Sequence, residues 1–198
     1  MVEVAQKNSD ARLEDRFQIE QAIRCWARAV DRRDWDLLSE VFHPDAIDNH
    51  GMYNGDIEGL IAWLKDRHRA ISMSMHVLGN IYIEFANSDV AVSESYVVAY
   101  QRYNTVPGED QTHIFSALGK HVDITQLPID VVMPARYVDE FENRNGAWRI
   151  AQRTTVFEGR YILNSDQTPL DPTWTIGQRD NTDALYTARR RVGLITAR

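Results

Sequence analysis

The chain has 198 residues, 43% of them apolar and 26% charged, and a net charge of −7; that suits one domain with a proper core, or one domain and a tail. The acidic balance excludes a general nucleic-acid binder, which needs basic clusters to displace counterions, and the run Arg189-Arg190-Arg191 reads as a solvated helix face. A single cysteine, Cys25, excludes an internal disulfide and, between apolar neighbours, reads as a buried, unreactive thiol.

Residues 1–12 read as a polar lead-in. They lack the apolar stretch of a signal peptide, and no run along the chain is long and apolar enough to cross a bilayer, so the expected setting is cytoplasmic. From Leu13 the pattern is helical, with Ile19, Ala22, Ile23, Trp26 and Val30 on one face. Asp34 opens a short second helix as its cap, and Pro44 is expected to end it. Residues 48–51 and Asn54-Gly55 read as turns. Ile57, Leu60, Ile61 and Leu64 mark a third helix.

The period then changes to two. Residues 76–86, 90–103, 134–143 and 147–157 read as strands rich in Val, Ile, Tyr and Phe. Asn87-Ser88-Asp89 turns between the first two. Asn143-Arg144-Asn145-Gly146 turns between the last two, because Asn-Gly accepts the positive φ of a tight hairpin. Within residues 104–132, Pro107-Gly108-Glu109-Asp110 reads as a loop, Pro128 as a break, and His113 to Val122 as either a further strand or a lid over a cavity. Residues 161–198 read as an arm with a short helix near Thr182–Arg191, packed on the domain or on a neighbouring subunit. Helices first and strands afterwards predict an α+β fold with helices on one face of a curved antiparallel sheet.

Three stretches carry a resemblance to a known family. They are Ala29-Val30-Asp31-Arg32-Arg33-Asp34-Trp35-Asp36 with Phe42-His43-Pro44-Asp45-Ala46; His76-Val77-Leu78-Gly79-Asn80; and Arg136-Tyr137-Val138-Asp139-Glu140-Phe141-Glu142 with Gly146-Ala147-Trp148-Arg149-Ile150 and Arg153. In order and spacing they resemble the nuclear transport factor 2-like superfamily, in its SnoaL-like and scytalone dehydratase-like branch, over residues 13–160. The resemblance implies a cone-shaped α+β barrel: three N-terminal helices on a strongly curved, mainly antiparallel sheet, with any chemistry inside the cone.

The same resemblance implies an Asp–His pair, Asp31 at the end of the first helix and His76 on the first long strand. A histidine near its ordinary pKa can take a proton at neutral pH, and a carboxylate on its other nitrogen fixes the tautomer. Read without the family, Asp31 could cap a helix or bind an arginine, and His76 could be a core histidine. Arg153 is expected either in the cavity, stabilising developing charge, or in a structural ion pair with a carboxylate such as Asp31 or Glu94. Tyr96 is a candidate acid. Trp26 stands where the dehydrochlorinases of this group carry a lysine, which speaks against dehydrochlorination and for an aromatic wall.

Trp26, His50, Tyr53, Asn80, Tyr100, Phe115 and Arg136 are the candidate substrate contacts. Alternation on the third long strand puts Arg136, Val138 and Glu140 on one face and Ala135, Tyr137 and Asp139 on the other, without saying which is inside. His68 points inward or caps the third helix. Asp48, His50 and His76 could be drawn together as metal ligands, but close-set signatures such as His-Glu-x-x-His are absent, so neither metal nor cofactor is expected.

Together these features point to a cofactor-independent lyase or isomerase acting on a hydrophobic aromatic or polycyclic small molecule, by dehydration or by aldehyde-releasing carbon–carbon cleavage. The alternatives are a non-catalytic ligand-binding or dioxygenase β-subunit-like domain, or a polyketide cyclase, since one fold hosts all of these. A homodimer or homotrimer is expected, without nucleic-acid or membrane partners.

Overall fold

In the computed structural model, which describes residues 12–105, 107–108, 128–164 and 169–194, helix α1 (Leu13–Arg32) buries Ile19, Ile23, Trp26 and Val30. That is the spacing of a single helix face. Arg33 stops the helix in the left-handed conformation at φ 55°, and its guanidinium donates to the carbonyls of His68 (2.7 Å) and Ile71 (2.8 Å). Asp34 caps α2 (Trp35–Val41) by accepting from the Leu37 N–H, and Asp56 caps α3 (Ile57–Arg67) by accepting from the Gly59 N–H.

Pro44 does not end α2. The helix stops at Val41, and Pro44 lies within strand β1 (Phe42–Asn49). A proline lacks the N–H of a ladder, and it falls where the pairing of β1 with β6 shifts register, between Phe42 and Ile47. Asp48 and Asn49, expected in a turn, are likewise strand residues, and Asn54–Asp56 form the short strand β2.

The remaining strands are β3 (Ile71–Phe85), β4 (Val90–Tyr103), β5 (Ile129–Arg144), β6 (Ala147–Phe157) and β7 (Tyr161–Asn164). Their order in one sheet is β2-β1-β6-β5-β4-β3, with β7 added beside β5. Every pairing is antiparallel except β1 with β6. The sheet is curved and mixed, and its ends, β2 and β3, do not pair to close it. The hairpin between β5 and β6 turns on Asn145 (φ 58°) and Gly146 (φ 84°), as the Asn-Gly pair predicts.

β5 starts five residues before the expected position, and Pro134 lies within it. Pro134 offers its carbonyl to the Glu158 N–H, on the side where β6 has ended and β7 has not begun. Its missing N–H faces the same gap, so no ladder bond to β4 is lost.

Two bulges set the inward faces. One extra residue in β6 between Ile150 and Gln152 against β5 moves the buried positions from Trp148 and Ile150 to Arg153 and Thr155. Another, at Gly79-Asn80 in β3, moves them from His76 and Leu78 to Ile81 and Ile83. Such insertions bend the strand, and here they help to curl the sheet over α1.

The main core lies between α1 and the concave face. A smaller cluster of Ala70, Ile71, Tyr103, Ile129 and Val131 closes the far end. After β7 the chain returns over the end of α1 and forms α4 (Ala184–Arg191). There Arg32 pairs with Asp183 at 3.0 Å, so this part of the arm packs on its own domain. Among the described residues no helix is long and apolar enough to cross a membrane.

Candidate active site

The last turn of α1 and the middle of β3 bring Asp31 and His76 together. The His76 ring Nδ1 is 2.7 Å from Asp31 Oδ1, and the His76 backbone N–H donates to Oδ2 at 2.8 Å. Ser74, two residues earlier on the same strand face, donates its hydroxyl to Oδ1 at 2.7 Å. Burial pushes the Asp31 carboxyl up, but the bonds and charge from His76, with the Ser74 bond, outweigh it and hold the group below its ordinary value. An ionised Asp31 accepts the Nδ1 proton and leaves Nε2 of His76 as the free nitrogen.

His76 lines a cavity of about 600 Å³ on the concave face of the sheet. Its walls include Trp26, Trp63, Val97, Met133 and Tyr137, and its polar groups include His50, His68, Gln101 and Thr155. A cleft on the outer side of the pair takes in Asp31, Ser74, Arg28 and Arg179. His76 lines both the cavity and the cleft, whereas Asp31 lines the cleft alone, so the ring stands between Asp31 and the cavity.

The C-terminal arm reaches this site through Arg179. Its guanidinium donates to the carbonyls of Val30 (2.9 Å), Asp31 (2.8 Å) and Ile71 (2.7 Å), and lies 2.7 Å from His68 Nδ1. Burial pulls Arg179 down to about 10. Burial, and next the Arg179 charge, push His68 well below its ordinary value. His68 is therefore neutral, with Nδ1 accepting from Arg179. It caps α3 and also lines the cavity, so both sequence expectations for it describe one position.

Arg153 is not a cavity residue. It is fully buried, and Nε and Nη2 form a two-point ion pair with Asp139 at 2.6 and 2.7 Å. Its guanidinium carbon lies 4.2 Å from the Tyr137 ring centre and 4.6 Å from that of Trp26. Burial works against its charge and Asp139 outweighs it, so Arg153 is held above its ordinary value. The expected structural ion pair with a carboxylate is present, and that carboxylate is Asp139. Burial likewise pushes Tyr137 up to about 12.

Several expected contacts lie elsewhere. Odd-numbered β4 residues point inward, so Tyr96 (48% exposed) and Tyr100 share the outer face. Tyr100 contacts Asp130 there at 3.4 Å. On β5 the inward set is Ala135, Tyr137 and Asp139, and Arg136 pairs outside with Glu94 and Glu158. Asn80 sits exposed at the β3 bulge. Tyr53 stacks on Trp63 and donates to the Asp56 carbonyl at 2.7 Å, behind the cavity wall. Phe115 lies outside the described residues, as do His113 and His121. Trp26 and His50 do line the cavity.

Asp48 and His50 adjoin each other, whereas His76 pairs with Asp31. Among the described residues no group of three or more His, Cys, Asp or Glu is placed to hold a metal ion. Sequence reasoning missed Ser74, Thr155 and Arg179. The two-residue step from His76 could have found Ser74; a lone arginine in an irregular tail carries no signal.

Residues 11–154 match the SnoaL-like domain. An uncharacterised protein of Mycobacterium tuberculosis is 26% identical over 148 residues, covering 73% of this chain and 86% of the relative. Among solved structures, a type 2 hexachlorocyclohexane dehydrochlorinase (LinA) superposes with TM-score 0.64 at 18% identity, over 82% of this chain and 97% of the other. A candidate scytalone dehydratase from Novosphingobium aromaticivorans superposes with TM-score 0.61 at 16% identity, over 83% and 97%. At such identities the structural likeness speaks for the cone fold alone.

Proposed function

Because the chain belongs to the SnoaL-like domain family, we propose that it is a cofactor-independent lyase or isomerase that begins by removing a proton from an apolar, ring-bearing small molecule. The observation that carries this reading is the 2.7 Å contact between Asp31 and His76 Nδ1, with the same ring opening onto an apolar cavity. Asp31 fixes the tautomer and orientation and balances the imidazolium that forms; His76 Nε2 takes the proton. Trp26, Trp63 and Tyr137 hold the flat apolar body of the substrate, and the few polar groups orient it. The dehydrochlorinase and dehydratase neighbours support elimination as the reaction type.

A purely binding domain would place Asp31 and His76 apart or fill the cone with side chains, and the dyad geometry and the open cavity support the catalytic reading instead. The test is a panel of ring-bearing β-hydroxy ketones, followed by mass spectrometry for loss of water, with His76→Ala as control. Turnover that falls at least about 100-fold in the variant, the usual weight of a general base, supports the proposal. Equal turnover in both proteins, or binding without turnover, would sink it.

A further inference from the structure

A second Asp–His pair meets the same cavity through its histidine, His50. On β1, Asp48 is fully buried, and among the described residues neither of its carboxylate oxygens has a hydrogen-bond partner. The nearest basic group in the ion-pair geometry is His50 Nδ1, at 3.3 Å, and Thr155 Oγ1 lies 3.2 Å from the same nitrogen. A buried carboxylate without a hydrogen-bonded partner is costly. Arg153, its cross-strand neighbour, does not provide one: its Nε and Nη2 are committed to Asp139, and its Nη1 has no hydrogen-bond partner among the described residues. Among the described residues, His50 is thus the basic side chain within ion-pair distance of Asp48.

Building on the reading of His76 as base, we infer that His50 is a second catalytic residue, an imidazolium held by Asp48 that donates the Nε2 proton to the departing oxygen of the substrate. Among the described residues, both polar partners of the His50 ring engage Nδ1, which leaves Nε2 for the cavity. The two histidines thus present opposite faces of the same chemistry. His76 keeps its Nδ1–H, hydrogen-bonded to a well-bonded carboxylate, and offers a lone pair; His50 offers a proton.

The step balances. His76 Nε2 takes a proton from carbon, and the C–H electrons form the carbon–carbon double bond. The C–O bond breaks, and the hydroxyl leaves as water with the His50 proton. His76 ends protonated and His50 neutral, and exchange with solvent restores both. A halide leaves without needing a proton, so an acid at this position selects an alcohol. The substrate class is a ring-bearing alcohol with an acidic C–H beside the carbinol carbon, and the reaction is dehydration.

Among the described residues, the other charged or titratable groups lining the cavity are Arg67 on α3, Tyr137 on β5, Glu158 and Arg160 beyond β6, and the His68 and His76 rings. A direct test is therefore needed that singles out His50. It is ¹⁵N NMR of the full chain with labelled histidine at neutral pH, with resonances assigned by His50→Gln and His76→Gln. His50 is expected to carry protons on both nitrogens, and His76 on Nδ1 alone. Asp48→Asn should move the His50 titration midpoint to lower pH and leave His76 unmoved. A wild-type His50 with a bare Nε2 at neutral pH overturns the proposal even if Asp48→Asn fails to fold, as does a midpoint indifferent to Asp48→Asn. If His76 instead carries its proton on Nε2, the base reading fails separately, whatever His50 shows.

Discussion

The Asp31 carboxylate grips His76 at two points, accepting from the backbone N–H at 2.8 Å and contacting ring Nδ1 at 2.7 Å. One oxygen fixes where the strand lies, and the other fixes how the imidazole is turned. Asp31→Asn keeps the size of the side chain but replaces one acceptor by an amide. It is expected to cost roughly 100-fold in kcat on any substrate the wild type turns over, since the wrong tautomer removes the free lone pair. KM should stay within a few-fold. A large rise in KM with kcat intact would show that Asp31 serves binding rather than the tautomer.

Acid should destabilise the protein through His68. Its folded value lies well below the ordinary 6.5, so the unfolded chain binds the proton more readily. The stability contributed by a neutral His68 is present above about pH 6.5 and is lost as pH falls from there toward the folded value. Thermal melts between pH 7.5 and 5 should show a falling Tm, and His68→Gln should flatten that slope. An unchanged slope would place the acid sensitivity elsewhere.

Asp31 adds a second window at lower pH. Its folded value is depressed below 3.8, so its contribution is present above that value and disappears as pH falls through the folded one. Below about pH 4, Asp31→Asn should lose less stability per pH unit than the wild type.

Arg179 ties the arm to the carbonyls of Val30, Asp31 and Ile71. Arg179→Met takes this charged donor from the three partly buried carbonyls, of which Ile71 keeps Arg33, and charge-assisted bonds of this kind contribute roughly 1.5–3 kcal/mol each. A loss of about 3 kcal/mol in urea unfolding is expected, with a drop in kcat as the end of α1 loosens. A loss below about 0.5 kcal/mol would mean that the arm is only laid against the domain.

Arg153→Met should cost about 3–5 kcal/mol, because it strands the buried Asp139. The double variant with Asp139→Leu should recover part of that loss. Tyr96→Phe, on the outer face, should leave activity unchanged. A loss of turnover in Tyr96→Phe at unchanged stability would bring that face into the mechanism.

Local patterns in the sequence were enough for the helices and the hairpins. The apolar spacing of α1, the caps Asp34 and Asp56, and the Asn145-Gly146 turn each act within a few residues, so propensity and patterning decide them. The resemblance carried the pairing of Asp31 with His76, which no local period could supply across 45 residues.

Tertiary structure decided the rest. β1 forms because β6 is there to pair with it in parallel, and its polar residues show no strand period. The strand faces followed from bulges: one extra residue in β6 turned Arg153 inward to Asp139, and alternation put Tyr96 and Tyr100 outside. Arg179 reaches Asp31 from 148 residues away, where only the returning chain could place it. Short-range preference can choose helix or strand, but which side chains share a cavity depends on pairing register and chain return, and those are settled by burial of the whole sheet.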